Sequence, residues 1–266
     1  MARGRTATVL VHRFDSSGLR RRPDELVVEE PLEIRLDGHL VTTTMRTPGH
    51  DFELAAGLCA TDGLLGEAEI VAVRYCGDHG SALDSGFNVV TVETGGQAPV
   101  PRARVATTTS SCGLCGSASL DALRLRLHPL AGLAHFPLEV LAAAPGRLGG
   151  GQALFAATGA VHAAAAFDQH GDPVALREDI GRHNAVDKVV GRLLLDGRLP
   201  ASELALYVSG RASFEIVQKA WAAGFAAVAA VSAPSSLAVE TARVAGLTLV
   251  GFVRGRRMNV YSPEHL

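Results

Sequence analysis

Three short apolar runs, Leu204–Val208, Ala226–Val231 and Leu247–Val253, recur along the second half of this chain with helical patterns between them. The helical stretches are His183–Leu195, Ser213–Ala223 and Ser235–Val244. Parallel strands cannot pair without a crossover between them, and a helix supplies it. This alternation predicts an α/β domain whose mostly parallel sheet is covered on both faces. In such a sheet ligands collect beyond the carboxyl ends of the strands, where helix N-termini point. The residues expected there are Ser209-Gly210-Arg211, Ser232-Ala233-Pro234-Ser235-Ser236 and Arg254-Gly255-Arg256-Arg257. Parallel strands would set all three on one rim suited to phosphate. Weighed against that, Ser213 and Ser235 read equally as plain helix caps, and the arginines as solvated charge.

Ahead of this pattern, Gln152–Ala157 is helix-like, and Val161–Phe167 and Pro173–Leu176 are strand-like. The first hundred residues read mainly as strand. Leu32–Leu36 and His39–Met45 flank Asp37-Gly38, a strong hairpin signal, with Leu26–Val28 just before them. Thr47-Pro48-Gly49 breaks the chain, and Asp51–Leu58 starts a helix with its acids at the positive end of the dipole. Ile70–Cys76 and Phe87–Val92 are further strands, Thr94–Pro99 a linker, and Ser119–Leu127 a helix. Arg20, Arg21 and Arg22 read as a solvated N-terminal loop. The expected organisation is a strand-rich domain over 1–106, a mobile loop over 107–118 and an α/β domain over 119–266, α+β overall.

With 47 % hydrophobic and 20 % charged residues the chain is globular, and a net charge of -2 gives it no global attraction to nucleic acid or membrane. The apolar stretch Ala7–Val11 is too short for a secretory signal, and Gly224–Val231 is far short of a bilayer span. Four cysteines do not make a disulfide scaffold in a chain of 266 residues, which suits a reducing compartment, the cytoplasm.

The chemistry concentrates in Thr107-Thr108-Thr109-Ser110-Ser111-Cys112-Gly113-Leu114-Cys115-Gly116, a small, polar, glycine-flanked segment. Three readings of Cys112 and Cys115 stand open. A thiol-disulfide oxidoreductase would want an early strand-to-helix context with an adjacent aromatic. A zinc-stabilised module could recruit Cys76-Gly77-Asp78-His79 as its other half. A catalytic thiolate could carry a persulfide while the second thiol assists. A zinc deaminase is disfavoured: His162-Ala163-Ala164 lacks the glutamate, and Ser111 stands where a proline should precede Cys112. Cys59 falls on the apolar face of the first helix and reads as packing. His162 and His183 read first as structural. Glu178–Lys188 crowds seven polar or ionisable side chains into eleven positions, which capping and an Asn184–Lys188 pair explain in part.

Taken together, Arg46-Thr47-Pro48-Gly49, Ser110–Gly116, Thr158–Ala164, Glu178–Lys188, Ser209–Glu215 and Gly251–Arg254 closely resemble the FdhD/NarQ family of formate dehydrogenase accessory proteins, over nearly the whole chain. Thr158-Gly159-Ala160 departs mildly from the Thr-Gly-Gly of some relatives. The resemblance implies a sulfurtransferase-like sulfur carrier. A cysteine desulfurase would load a persulfide on Cys112, with Cys115 as the second loop thiol. The sulfur would pass to the metal of the bis(molybdopterin guanine dinucleotide) cofactor, bound as a client and not as a permanent group, before its insertion into formate dehydrogenase. It also implies a homodimer and a cytidine deaminase-like three-layer C-terminal domain without the zinc. Cofactor contacts in the family map to Phe252, Val253, Arg254, Gly255, Arg256 and Arg257; we extend the expectation to Ser209, Arg211 and His183.

Overall fold

In the computed structural model, residues 4–76, 83, 86–101 and 125–263 are described. Cys112, Cys115, His79, the expected limits at 106 and 118, and residues 119–124 of the expected helix over 119–127 lie outside the described residues, whereas Leu125 and Arg126 are helical.

The chain begins with a two-stranded antiparallel ribbon, β1 (Thr6–Asp15) and β2 (Gly18–Val27). Arg20, Arg21 and Arg22 lie on β2, so the expected solvated loop is a strand. No residue of either strand is fully buried, so the ribbon lacks the period-2 signal of a half-buried strand. A four-stranded sheet follows in the order β4-β3-β6-β5, from β3 (Glu30–Leu36), β4 (His39–Arg46), β5 (Ala72–Tyr75) and β6 (Val89–Glu93). Asp37 (φ 48°) and Gly38 (φ 83°) turn β3 into β4 as the Asp-Gly signal requires. One face of this sheet, through Leu32, Ile34, Leu36, Val90 and Val92, buries α1 (Asp51–Thr61). Cys59 is fully buried there, its thiol pushed up to about 12 by burial, and is core. The expected linker after β6 is instead pinned, because Thr94 donates its N–H to Asp37 Oδ1 at 2.7 Å.

The remainder is a three-layer sandwich. Its helices are α2 (Leu138–Leu148), α3 (Ala153–Thr158), α4 (Arg182–Leu195), α5 (Phe214–Ala222) and α6 (Ser236–Ala245). Its strands are β7 (His162–Phe167), β8 (Pro173–Asp179), β9 (Ala205–Val208), β10 (Ala227–Ala230), β11 (Thr248–Arg254) and β12 (Arg257–Ser262), in the order β12-β11-β10-β9-β7-β8. Helices α4, α5 and α6 cover one face against Ala164, Leu206, Val208, Val228 and Leu249. On the other face α2 packs against Ala165, Phe167, Tyr207, Ala229 and Val250. Small residues on both sides of β7 and β10 allow the helices to approach closely. The sheet is less parallel than the alternation implies: β9, β10 and β11 pair in parallel, whereas β7–β8 and β11–β12 are hairpins. Helix α2 carries Pro145 and Gly146 in its last turns, a combination that reads as a break in sequence.

Two glycines join the halves. A Cβ on Gly57 of α1 would lie 1.9 Å from the carbonyl oxygen of Asp187, and one on Gly191 of α4 would lie 1.8 Å from that of Glu53. The backbones of α1 and α4 therefore touch directly, and neither position tolerates a side chain. Gly57→Ala and Gly191→Ala should each cost more than about 3 kcal/mol, because backbone must move to admit the methyl group. Denaturant unfolding reads this directly; a loss no larger than that of an exposed helical glycine would show the crossing to be looser than described.

Candidate functional site

The carboxyl ends of β9, β10 and β11 continue side by side beyond the sheet. Ser232 N donates to Gly210 O and Phe252 N donates to Ser232 O, each at 3.2 Å, while Ser235 N donates to Ala212 O at 3.1 Å. The three sequence clusters thus form one stitched rim, which the amino end of β7 joins. Ser209 N donates to Ala163 O, and Ser209 Oγ accepts from Ala163 N, both at 2.9 Å. The Ser209 hydroxyl proton is left to donate elsewhere. Gly210 lies against the His162 ring, where a Cβ would come within 3.4 Å of Nδ1. Burial, then the charges of Arg182 and Arg211, hold His162 below its usual range, so it is neutral near pH 7. Arg211 itself is exposed.

Helices α4, α5 and α6 all begin at this rim. Ser235 caps α6, its Oγ accepting from Ala238 N at 3.2 Å. Ser213 precedes α5 without such a bond, and its buried Oγ has no hydrogen-bond partner among the described residues, nor has Arg182 Nε at the start of α4. His183 is 16 % exposed, with Nε2 3.3 Å from Glu215 Oε2. Burial, aided by Arg182, Lys219 and His162, pushes His183 down to about 3. It therefore meets a ligand as a neutral imidazole and not as a cation. Sequence reasoning passed over Glu215, since a carboxylate in the first turn of a helix ordinarily faces solvent and the dipole.

The segment over 252–257 is not a single patch. Phe252 has φ 54° and is 45 % exposed. A bulky residue in the left-handed region stores backbone strain that a glycine would not, and such strain marks functional positions. The register shift between Gly251 and Arg254 accompanies it. Val253 is fully buried in the α2-side core, so its side chain does not face a ligand. Arg254 pairs across the hairpin with Arg257 around Gly255 (φ 60°). Arg256 and Arg257 line a cleft of about 710 Å³ with Leu138, Glu139 and Ala142 of α2. A second cleft of about 480 Å³ opens at the rim between Phe155, Tyr207, His162 and Ser209.

The crowded segment Glu178–Lys188 works largely as a clamp. Asp179, fully buried, pairs with Lys188 Nζ at 2.7 Å. It also accepts from Gly181 N (2.8 Å), Asn184 Nδ2 (3.0 Å) and Thr47 N (3.1 Å). Lys188 Nζ donates to Thr47 O at 2.9 Å. The expected Asn184–Lys188 pair is replaced by two contacts to Asp179, and the whole array grips the Arg46-Thr47-Pro48-Gly49 turn. Arg46 in turn makes a bidentate pair with Asp51 at 3.1 and 3.0 Å. Glu178 accepts from Leu154 N (2.9 Å) and Phe155 N (2.8 Å), fixing the start of α3 beside the smaller cleft. Of the expected zinc set, Cys76 alone is described, partly exposed at the end of β5. Among the described residues no helix is long and apolar enough to cross a membrane.

The fold, a strand-rich half clamped to a three-layer α/β half, is similar to that of a solved structure described as a formate dehydrogenase accessory protein. That structure, from Desulfotalea psychrophila, superposes with a TM-score of 0.77, at 25 % identity over 98 % of this chain and 99 % of its own. The chain belongs to the FdhD/NarQ family, whose model matches residues 27–266. It is 51 % identical to the sulfur carrier protein FdhD of Nocardia farcinica over 98 % of this chain and 94 % of the relative. The protein of the same name from Streptomyces avermitilis is 51 % identical over 96 % and 93 %, and that from Mycobacterium tuberculosis 48 % over 97 % and 96 %.

The clamp yields its own test. Lys188→Met should destabilise the protein by about 3–5 kcal/mol at neutral pH, since it strands the Asp179 carboxylate in the interior. Adding Asp179→Asn should recover part of that loss in a double-mutant cycle. Additive losses would mean that the two groups do not act as a pair.

Proposed function

We propose that this protein is a sulfur carrier in formate dehydrogenase maturation. The near-full-length identity to sulfur carrier proteins carries this reading, and the rim supports its second half. The Cys112 thiolate attacks the terminal sulfur of a cysteine desulfurase persulfide; that S–S bond breaks, the desulfurase cysteine leaves as thiolate, and Cys112 holds the sulfane sulfur. In the second step the new S–S bond breaks and Cys112 returns as thiolate. The sulfur becomes a sulfido ligand of the molybdenum in the bis(molybdopterin guanine dinucleotide) client, the metal supplying two electrons. Cys115 is the assisting thiol. The working species is a cytoplasmic homodimer.

The chain's own part in the second step is to hold the dinucleotide. Phe252 offers a ring for stacking on a guanine, and Arg254 and Arg211 offer guanidinium forks for diphosphate. The Ser209 hydroxyl and the helix starts behind it add donors. Arg256 and Arg257 extend the basic surface toward α2.

After incubation with a desulfurase and cysteine, the peptide holding Cys112 should gain about 32 Da, the mass of one sulfur atom. A loss of about 2 Da would instead indicate a disulfide and favour the oxidoreductase reading. Phe252→Gly should leave the melting temperature undiminished, because it removes a left-handed Phe, yet weaken guanine nucleotide binding by about tenfold. Unchanged affinity by calorimetry would remove Phe252 from the site.

A further inference from the structure

Behind the rim lies a set of buried ionisable groups that the carrier reading does not use. Lys219 on α5 is almost wholly enclosed, and its ammonium has three protons to give. Asp187 of α4 lies 2.9 Å from it, Thr61 Oγ1 at the end of α1 lies 3.0 Å away, and Asp62 lies 3.6 Å away. Those contacts occupy the lysine. Glu215, one turn earlier on α5 and 13 % exposed, has His183 as its close side-chain contact instead. It faces Lys219 from its own helix, Arg182, His183 and Asp187 from α4, and Asp62 beyond α1. His183 cannot neutralise it by becoming imidazolium, because burial and the charges of Arg182, Lys219 and His162 keep that ring neutral. Burial, and the Asp187 and Asp62 charges, push the Glu215 carboxyl up to about 7 despite Lys219 and Arg182. At the same two helix starts, Arg182 Nε and Ser213 Oγ have no hydrogen-bond partner among the described residues.

We propose that Glu215 is a proton switch for the rim: the rim holds an anionic ligand while the Glu215–His183 pair keeps its proton, and loosens that ligand when the pair loses it. The idea rests on the reading that the rim takes the phosphates of a guanine dinucleotide. With the proton present, Glu215 is a neutral acid 3.3 Å from His183, and the charge at the helix starts is that of Arg182 and Arg211. Without it, a carboxylate sits behind the same arginines and opposes the ligand. Linkage makes the relation reciprocal, so a bound anion draws a proton onto Glu215. Burial, then the charges of Arg182 and Arg211, hold His162 below its usual range beside the same rim. A carrier that must surrender its client gains from a hold that one proton can release.

The test is calorimetric titration of the full-length protein with diguanosine diphosphate, a probe whose own phosphates do not titrate near neutrality. It is run in buffers of differing ionisation enthalpy. Affinity should fall about tenfold from pH 6 to pH 8, with uptake of about one proton per bound ligand at pH 8. Glu215→Gln should bind at pH 8 as the native protein does at pH 6, and take up no proton. Binding by the native protein with flat affinity and no proton uptake overturns the switch and leaves the rim reading standing. A pH dependence that survives in Glu215→Gln also overturns the switch. No binding at pH 6 overturns the rim reading and the switch together. The proton count on the native protein decides the matter even if the variant fails to fold.

Discussion

Two helix backbones, α1 and α4, meet at Gly57 and Gly191 with no side chain between them. That contact fixes where the strand-rich half sits against the start of α4. Once it is made, Asp187 reaches Thr61 at 2.9 Å, and Asp179 and Lys188 close on the Thr47 turn. Each of these groups is buried at the junction and needs its partner from the other half or from the neighbouring helix. Buried charges of this kind contribute little net stability, but misdocking would strand them, so they specify one arrangement. The position of His183 and Glu215 at the rim follows from that arrangement.

The rim joins three clusters that are far apart in the chain by means of three backbone hydrogen bonds past the sheet. Its chemistry is divided. Phe252 and Arg254 stand at the strand ends, Arg256 and Arg257 turn toward α2, and the neutral pair of His183 and Glu215 lies behind. Strain at Phe252 and unmet hydrogen-bonding capacity at Ser213 and Arg182 fall in the same region. Both are features that folding alone disfavours, and their coincidence supports the proposal that this edge is the ligand surface.

Much of this was legible in the chain. The apolar runs at β9, β10 and β11, the helices between them and the Asp37-Gly38 turn all appear where the pattern puts them, because periodicity and turn chemistry are local. What was hidden depends on partners. Lys188 and Asn184 read as a helical pair because sequence shows spacing and not that Asp179, five to nine residues earlier, curls back to take both. Glu215 drew no reading of its own, because its surroundings are set by α4, which brings His183 to 3.3 Å from it. The ribbon of β1 and β2 gave no pattern, since neither face is committed to a core. The Cys112 and Cys115 motif, the strongest chemical signal in the sequence, lies outside the described residues, so its role rests on the family alone.

The most direct test of the carrier account follows the sulfur itself. The protein is loaded from radiolabelled cysteine by a desulfurase, freed of small molecules, and mixed with the molybdenum dinucleotide cofactor. The label should leave the protein and travel with the metal-bound cofactor, and a Cys112→Ala variant should carry none. Label that stays on the protein, or that escapes as free sulfide whether or not the cofactor is present, would contradict it.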